Sequence, residues 1–133
     1  MKNVLIIGSL PADEKRRKLY ESIKACLETK ANIIRTPLDT ALFKGSDSER
    51  FELAQACVEN ADCIVAELSE SSTGCGIEIG MVYLLGKNII VLAEQGSKFS
   101  MASSLVKGMP NVQKIIIYRT IAELKDMLVG IEI

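Results

Sequence analysis

Histidine is absent from the 133 residues of this chain, and its absence excludes several kinds of chemistry. Without histidine, proton transfer has to use carboxylates, tyrosine, cysteine, lysine or water, and no imidazole can bind a metal ion. The four cysteines form no C-x-x-C pair and have no spacing typical of a zinc site. We expect no metal site and no cofactor in this protein.

The chain also lacks an excess of either charge, since it has 16 basic and 17 acidic residues and a net charge of −1. Such a chain has no electrostatic footprint for nucleic acid or for a membrane surface. No apolar stretch approaches the roughly 18 residues that span a membrane. The apolar run Val4–Ile7 is too short for a signal peptide. We expect a cytoplasmic protein with neither nucleic-acid nor membrane partners.

The cysteines differ in their surroundings. Cys26 and Cys63 lie in apolar segments, which is typical of small core residues. Cys75 lies between two glycines, and we expect it to be more exposed. No histidine or lysine is adjacent to Cys75 to lower the pKa of its thiol, which argues against a reactive cysteine there.

Strand and helix patterns alternate along the whole chain. Short apolar runs predict five strands, and apolar residues three or four positions apart predict the helices between them. The predicted strands are Asn3–Ile7, Asn32–Arg35, Cys63–Leu68, Asn88–Ala93 and Val112–Tyr118, and the predicted helices are Asp13–Glu28, Ser48–Asn60, Gly74–Leu85, Met101–Lys107 and Ile121–Val129. Residues Asp39–Asp47 contain Gly45 and show little periodicity, so we predict a loop there.

This alternation predicts a parallel sheet that is covered by helices on both faces. Residues 1–133 have the size of one domain. We predict an α/β fold, a flavodoxin- or Rossmann-like three-layer sandwich with a five-stranded parallel sheet in the order 2-1-3-4-5. The order reverses between strands one and three, so the ligand crevice is expected at their carboxyl ends, near Gly8-Ser9 and Glu67–Ser72.

The segment around Glu78 is the most informative part of the chain. It reads Ser71-Ser72-Thr73-Gly74-Cys75-Gly76-Ile77-Glu78-Ile79-Gly80, between a predicted strand and a predicted helix. We expect Glu78 in the first turn of that helix, where the helix N-terminus keeps it ionised. An ionised carboxylate there can act as a nucleophile or stabilise a cationic transition state. The alternative is a carboxylate that only complements the helix dipole, with Ser71, Ser72 or Thr73 as the N-cap.

Two common nucleotide-binding motifs are absent. The glycines 74, 76 and 80 depart from G-x-G-x-x-G because the third comes one position late and the run follows strand three. No G-x-x-x-x-G-K-[ST] occurs, which excludes a P-loop enzyme. Gly74 and Gly76 instead favour close approach of a ligand to the backbone. Gly8-Ser9 either offers a hydroxyl and N–H groups to a phosphate or forms an ordinary turn capped by Ser9.

Three segments resemble the nucleoside 2-deoxyribosyltransferase superfamily. They are Gly8-Ser9-Leu10, the run from Ala61-Asp62 to Gly86-Lys87 that includes Ser72, Gly74, Gly76 and Glu78, and the block Ser103–Gly108. They look closest to its nucleotide-hydrolysing branch, the 2'-deoxynucleoside 5'-phosphate N-hydrolases.

The resemblance implies a substrate and a role for each site residue. Glu78 would attack the anomeric carbon of a nucleoside 5'-monophosphate, which suits an oxocarbenium-like transition state. Ser9, Ser72 and Ser103 would hold the 5'-phosphate, with Ser103 contributed across the interface of a homodimer. The backbone around Gly8 and Leu10 would add N–H donors.

The chain departs from the family pattern at several positions. The family has an aspartate before strand three that helps to protonate the leaving base, and Ala54 occupies that position here. Leu5 replaces a tyrosine, and Pro11 replaces a basic residue of the opening loop. Glu52, Gln55 and Glu59 are the candidates to replace this acid, and Glu52 is preferred because Gln55 does not readily donate a proton. Besides the N-hydrolase, a transferase that passes deoxyribose between bases, a nucleotide-binding protein without catalysis, and a purely structural domain stay open.

Overall fold

The structure is a computed structural model that describes residues 1–70, 72–99 and 104–133. Its strands are β1 (Asn3–Gly8), β2 (Asn32–Arg35), β3 (Cys63–Glu67), β4 (Asn88–Glu94) and β5 (Val112–Tyr118). Its helices are α1 (Glu14–Leu27), α2 (Pro37–Leu42), α3 (Asp47–Asn60), α4 (Thr73–Leu84), α5 (Ser104–Lys107) and α6 (Ile121–Val129). All strand pairs are parallel, in the order β2-β1-β3-β4-β5. The predicted α/β fold and strand order are confirmed.

The sheet has an apolar core on each face, because side chains alternate along every strand. Val4 and Ile6 of β1 pack on one face against α1 and α6, whereas Leu5 and Ile7 pack on the other face against α3 and α4. Every residue of β3 is buried, as expected for a central parallel strand. The predicted three-layer sandwich is confirmed.

The pairing of β1 with β3 positions the two segments that carry the predicted site. Their register sets Gly8 opposite Glu67, so the loop after β1 and the turn after β3 leave the sheet side by side. Gly8 also has a packing role, because a Cβ there would lie 2.7 Å from Cε1 of the fully buried Tyr20. The strand order reverses at this pair, which is where doubly wound sheets bind their ligands.

The loop predicted at Asp39–Asp47 is wrong in its first part, because α2 extends through Leu42. Thr36 and Asp39 form a capping box, and Pro37 occupies the first turn of this helix. A helix of six residues is too short to show periodicity, so only its capping signal was visible in the sequence. Of the helix predicted at Met101–Lys107, the described part is Ser104–Lys107, and residues 101–103 lie outside the described residues.

The exposed position predicted for Cys75 is wrong. It is 4% exposed and lies on the face of α4 that also presents Ile79 and Val82 to the sheet. Burial raises the pKa of its thiol, which makes it a core residue rather than a reactive one. Cys63 is buried as predicted, Cys26 is half-buried, and all four cysteines are free.

Two further findings concern the described residues as a group. None of their helices is long and apolar enough to cross a membrane. Residues 1–70, 72–99 and 104–133 also contain no group of three or more cysteine, aspartate or glutamate side chains placed to hold a metal ion.

Candidate active site

A cavity of about 550 Å³ opens beside the carboxyl end of β1. Residues of β1, α2, α3 and α4 line it, together with the loop after β1. Gly8 and Leu10 contribute one wall, and Ser72, Gly74 and Glu78 contribute another. The cavity therefore lies at the predicted reversal of strand order and has room for a small organic ligand.

Five of the eight predicted site residues line this cavity, namely Gly8, Leu10, Ser72, Gly74 and Glu78. Ser9 does not line it, since it is 8% exposed and its hydroxyl contacts the buried Arg16. Gly76 lies on the exposed side of α4, away from the lining. The predicted phosphate ligand Ser103 lies outside the described residues.

Ser72 is the N-cap of α4, as one of the sequence alternatives held. Its Oγ accepts a hydrogen bond from the backbone N–H of Cys75 at 3.4 Å. Because Ser72 also lines the cavity, capping and ligand binding are compatible at this position. The cap starts the helix at Thr73, which makes Glu78 its sixth residue.

The expectation that the helix N-terminus keeps Glu78 ionised is wrong. Glu78 lies in the second turn of α4, where the influence of the dipole has faded. Burial raises the pKa of the Glu78 carboxyl from 4.5 to about 7, while the positive charge of Arg35 acts in the opposite direction. The carboxyl therefore changes its protonation state near neutral pH, in the range suited to acid–base and nucleophilic chemistry.

Two arginines of the cavity were not found from the sequence. Arg35 at the end of β2 and Arg50 of α3 both line it, and their guanidinium carbons lie 5.8 and 4.9 Å from the ring centroid of Phe43. Such cation–π contacts help to hold the two guanidinium groups at the lining of the cavity. The signal that could have found Arg35 is its position at a strand end, directly before the Thr36-Pro37 helix start.

The acid predicted at Glu52 does not reach the cavity. Glu52 is exposed and does not contribute to the lining, whereas Ala54, at the position of the missing aspartate, does. Asp47 also lines the cavity. It lies seven residues before Ala54, which is two turns earlier on the same face of α3.

A buried polar cluster beneath the opening loop was also missed. Glu67 is fully buried and accepts hydrogen bonds from Arg16 (3.2 Å), from the N–H and hydroxyl of Ser69 (both 2.8 Å) and from Tyr118 (2.5 Å). Arg16 in turn donates to the Ser9 hydroxyl at 2.8 Å and to the Tyr20 hydroxyl at 2.6 Å. A glutamate that ends an otherwise apolar strand was the available signal, since a buried charge needs partners.

Comparison with known families adds to this geometry. The sequence model described as nucleoside 2-deoxyribosyltransferase matches residues 8–122, from the end of β1 into α6. That range includes every residue predicted for the site. No curated protein matches the chain.

Solved structures show the same fold. The CMP N-glycosidase BcmB of Clostridium botulinum superposes with a TM-score of 0.71 at 23% identity, covering 96% of this chain and 98% of that one. BlsM has a TM-score of 0.77 at 19% identity, with coverages of 97% and 88%. A 2-deoxyribosyltransferase of Bacillus psychrosaccharolyticus has a TM-score of 0.69 at 15% identity, with coverages of 93% and 90%. At these identities the likeness concerns the fold.

The raised pKa of Glu78 predicts a pH-dependent effect of Glu78→Gln on stability. A carboxyl with a folded pKa of about 7 and an unfolded pKa of 4.5 loses stability as pH rises through this window, by on the order of 3 kcal/mol. Glu78→Gln removes this penalty. We expect the variant to be more stable than wild type at pH 8 and equally stable near pH 4.5, in urea unfolding at both values.

The control is Glu52→Gln, which removes the same charge from an exposed position of α3. It should leave the free energy of unfolding within about 0.5 kcal/mol of wild type at both pH values. Equal stability of Glu78→Gln and wild type at pH 8 would contradict the raised pKa.

Proposed function

We propose that this chain, which belongs to the nucleoside 2-deoxyribosyltransferase family, hydrolyses the N-glycosidic bond of nucleoside 5'-monophosphates. The products are a free base and a ribose or deoxyribose 5-phosphate. The observation that carries the proposal is Glu78, a half-buried carboxyl with a pKa of about 7 in the cavity at the reversal of strand order.

The proposed reaction has two steps. The ionised Glu78 carboxylate attacks the anomeric carbon as the bond to the base breaks, and the base leaves with a proton. Water then attacks the same carbon, restores the carboxylate and releases the sugar phosphate. Retaining glycosidases use a nucleophilic carboxylate in this way, through transition states with oxocarbenium character. The partial burial of Glu78 favours this role, because a carboxylate that is partly shielded from solvent stabilises the developing positive charge more strongly than an exposed one.

The proposed phosphate ligands are hydroxyl and N–H groups at the helix start. Ser72 and the backbone of Gly74 lie at the N-terminus of α4, where an anion is stabilised. Gly8, Ser9 and Leu10 supply the facing loop. Ser103 of the partner subunit is proposed to complete the set. Gly76 is proposed to act through the backbone conformation of the same turn.

The first test is base release from a panel of ribo- and deoxyribonucleoside 5'-monophosphates, measured by chromatography for wild type and Glu78→Ala. We expect wild type to release a base from at least one nucleotide. Glu78→Ala should lose at least about a thousandfold in kcat, because removal of a nucleophile abolishes the covalent route. CMP belongs in the panel because the Clostridium botulinum structure is named a CMP N-glycosidase.

Water as the acceptor is tested by adding a second, labelled base to the same reaction. The hydrolase proposal predicts that no label enters nucleotide or nucleoside. Label in either product would contradict it and establish a transferase. Thermal stabilisation by nucleotides without turnover would instead establish a nucleotide-binding protein. Ala54, at the position of the family's acidic residue, is the observation that favours this alternative.

Asp47 is the proposed proton donor to the leaving base. It lines the cavity on the face of α3 that also carries Ala54, the position of the missing acid. Asp47→Asn is expected to lower kcat by about a hundred- to ten-thousandfold, with the larger loss for poorer leaving bases. Glu52→Gln on the exposed side of α3 should keep wild-type kcat. Equal losses in the two variants, or none in Asp47→Asn, would exclude this role.

A homodimer is the proposed assembly. Glu78 is the one charged residue of α4, and the outer side of this helix exposes Ile77, Tyr83 and Leu84, the last 82% exposed. A helix with apolar residues around most of its circumference normally packs against other elements on more than one side. We expect wild type to sediment as a dimer and Leu84→Glu as a monomer with reduced activity. A monomeric wild type would contradict the shared site.

A further inference from the structure

A second cavity, of about 620 Å³, lies on the other side of the opening loop. Its lining includes Arg16, Ser69, Glu70 and Tyr118. Ser9 itself lines neither cavity, but its neighbours Gly8 and Leu10 line the first and its hydroxyl contacts Arg16, which lines the second.

Arg16 has a donor that the protein does not use. Its two terminal nitrogens bind Glu67, Ser9 and Tyr20. Its Nε is buried and has no hydrogen-bond partner among the described residues. The Glu70 carboxylate lies 3.6 Å from this atom, beyond hydrogen-bond distance. A buried N–H without an acceptor is unfavourable, so Nε is available to a ligand.

The Ser9 hydroxyl also has a proton that it can donate to a ligand beside Arg16 Nε. Its oxygen accepts from Arg16 at 2.8 Å, which leaves its own proton for another acceptor. That proton has only long contacts, both at 3.5 Å, with Glu70 and with Tyr20. The Tyr20 hydroxyl already donates to the Ser9 carbonyl at 2.5 Å.

Glu70 presents one oxygen to each of these two donors. Oε1 lies 3.6 Å from Arg16 Nε, and Oε2 lies 3.5 Å from Ser9 Oγ. The side chain is 53% exposed, so its contacts are weak and easily exchanged. Glu70 is not needed to neutralise Arg16, because buried Glu67 already does so. Two oxygens of a phosphate can take the places of these two carboxylate oxygens.

We propose that Ser9 Oγ and Arg16 Nε form a phosphate subsite and that Glu70 is its internal ligand, displaced when phosphate binds. The identification of this group as the 5'-phosphate of the substrate rests on the proposed function. The subsite itself does not. Because Glu67 balances the charge of Arg16, the subsite selects its ligand by hydrogen-bond geometry rather than by net charge. Glu70 lowers the affinity for any phosphate by competing for both donors.

The test is calorimetric titration of the full chain with inorganic phosphate. Glu70→Ala removes the competitor and should bind phosphate about two- to fivefold more tightly than wild type. Arg16→Lys lacks the Nε donor and the planar fork, and should bind about tenfold more weakly. Glu14→Gln is the control, because it removes the same charge from an exposed position of the same helix. It should bind phosphate as wild type does. Urea unfolding confirms that each variant is folded.

A second measurement separates this inference from the proposed function. Glu70→Ala should lower KM for the nucleoside 5'-monophosphate and leave KM for the corresponding nucleoside unchanged. Equal phosphate affinity of wild type and Glu70→Ala, or the same gain in Glu14→Gln, would overturn the subsite. Tighter phosphate binding without any base release would keep the subsite and refute the hydrolase. Base release with an unaltered nucleotide KM in Glu70→Ala would keep the hydrolase and refute the assignment of this subsite to the 5'-phosphate of the substrate.

Discussion

The parallel pairing of β1 with β3 is the constraint on which the rest of the site depends. Its register sets Gly8 opposite Glu67, and the chain then leaves the two strands in opposite directions across the sheet. The loop after β1 and the N-terminus of α4 therefore meet over one edge, and Glu78 faces the same cavity as Gly8. A shift of this register would move the two halves of the site apart and turn the apolar side chains of β1 to the wrong faces.

The buried Arg16–Glu67 ion pair stabilises the sheet edge at the carboxyl ends of β1 and β3. Both side chains are almost fully buried, and Glu67 is satisfied by Arg16, Ser69 and Tyr118 together. Removal of one partner of such a pair costs about 3–5 kcal/mol, because the other is left as an unpaired buried charge. Arg16 also donates a hydrogen bond to the Ser9 hydroxyl and so orients it. The same arginine therefore contributes both to the stability of this region and to the proposed ligand binding by the opening loop.

Much of the fold was predictable because its signals are local and repeated. The apolar runs of β1, β3 and β4 and the order of strands and helices sufficed for the sheet topology. The sequence also located Glu78 and the glycines beside it. It did not reveal the raised pKa of Glu78, because the burial that raises it is a property of the assembled cavity. Arg16 and Asp47 were missed for a similar reason, since only the packing of α1 and α3 brings them to the cavities.

The most direct test of the central claim is detection of the sugar on Glu78. Wild type would be quenched in acid during turnover of its best nucleotide, digested and analysed by mass spectrometry. The account predicts a peptide that contains Glu78 with the added mass of the sugar phosphate, and no such peptide from Glu78→Gln. A sugar adduct on a peptide without Glu78, or unchanged base release by Glu78→Gln, would contradict it.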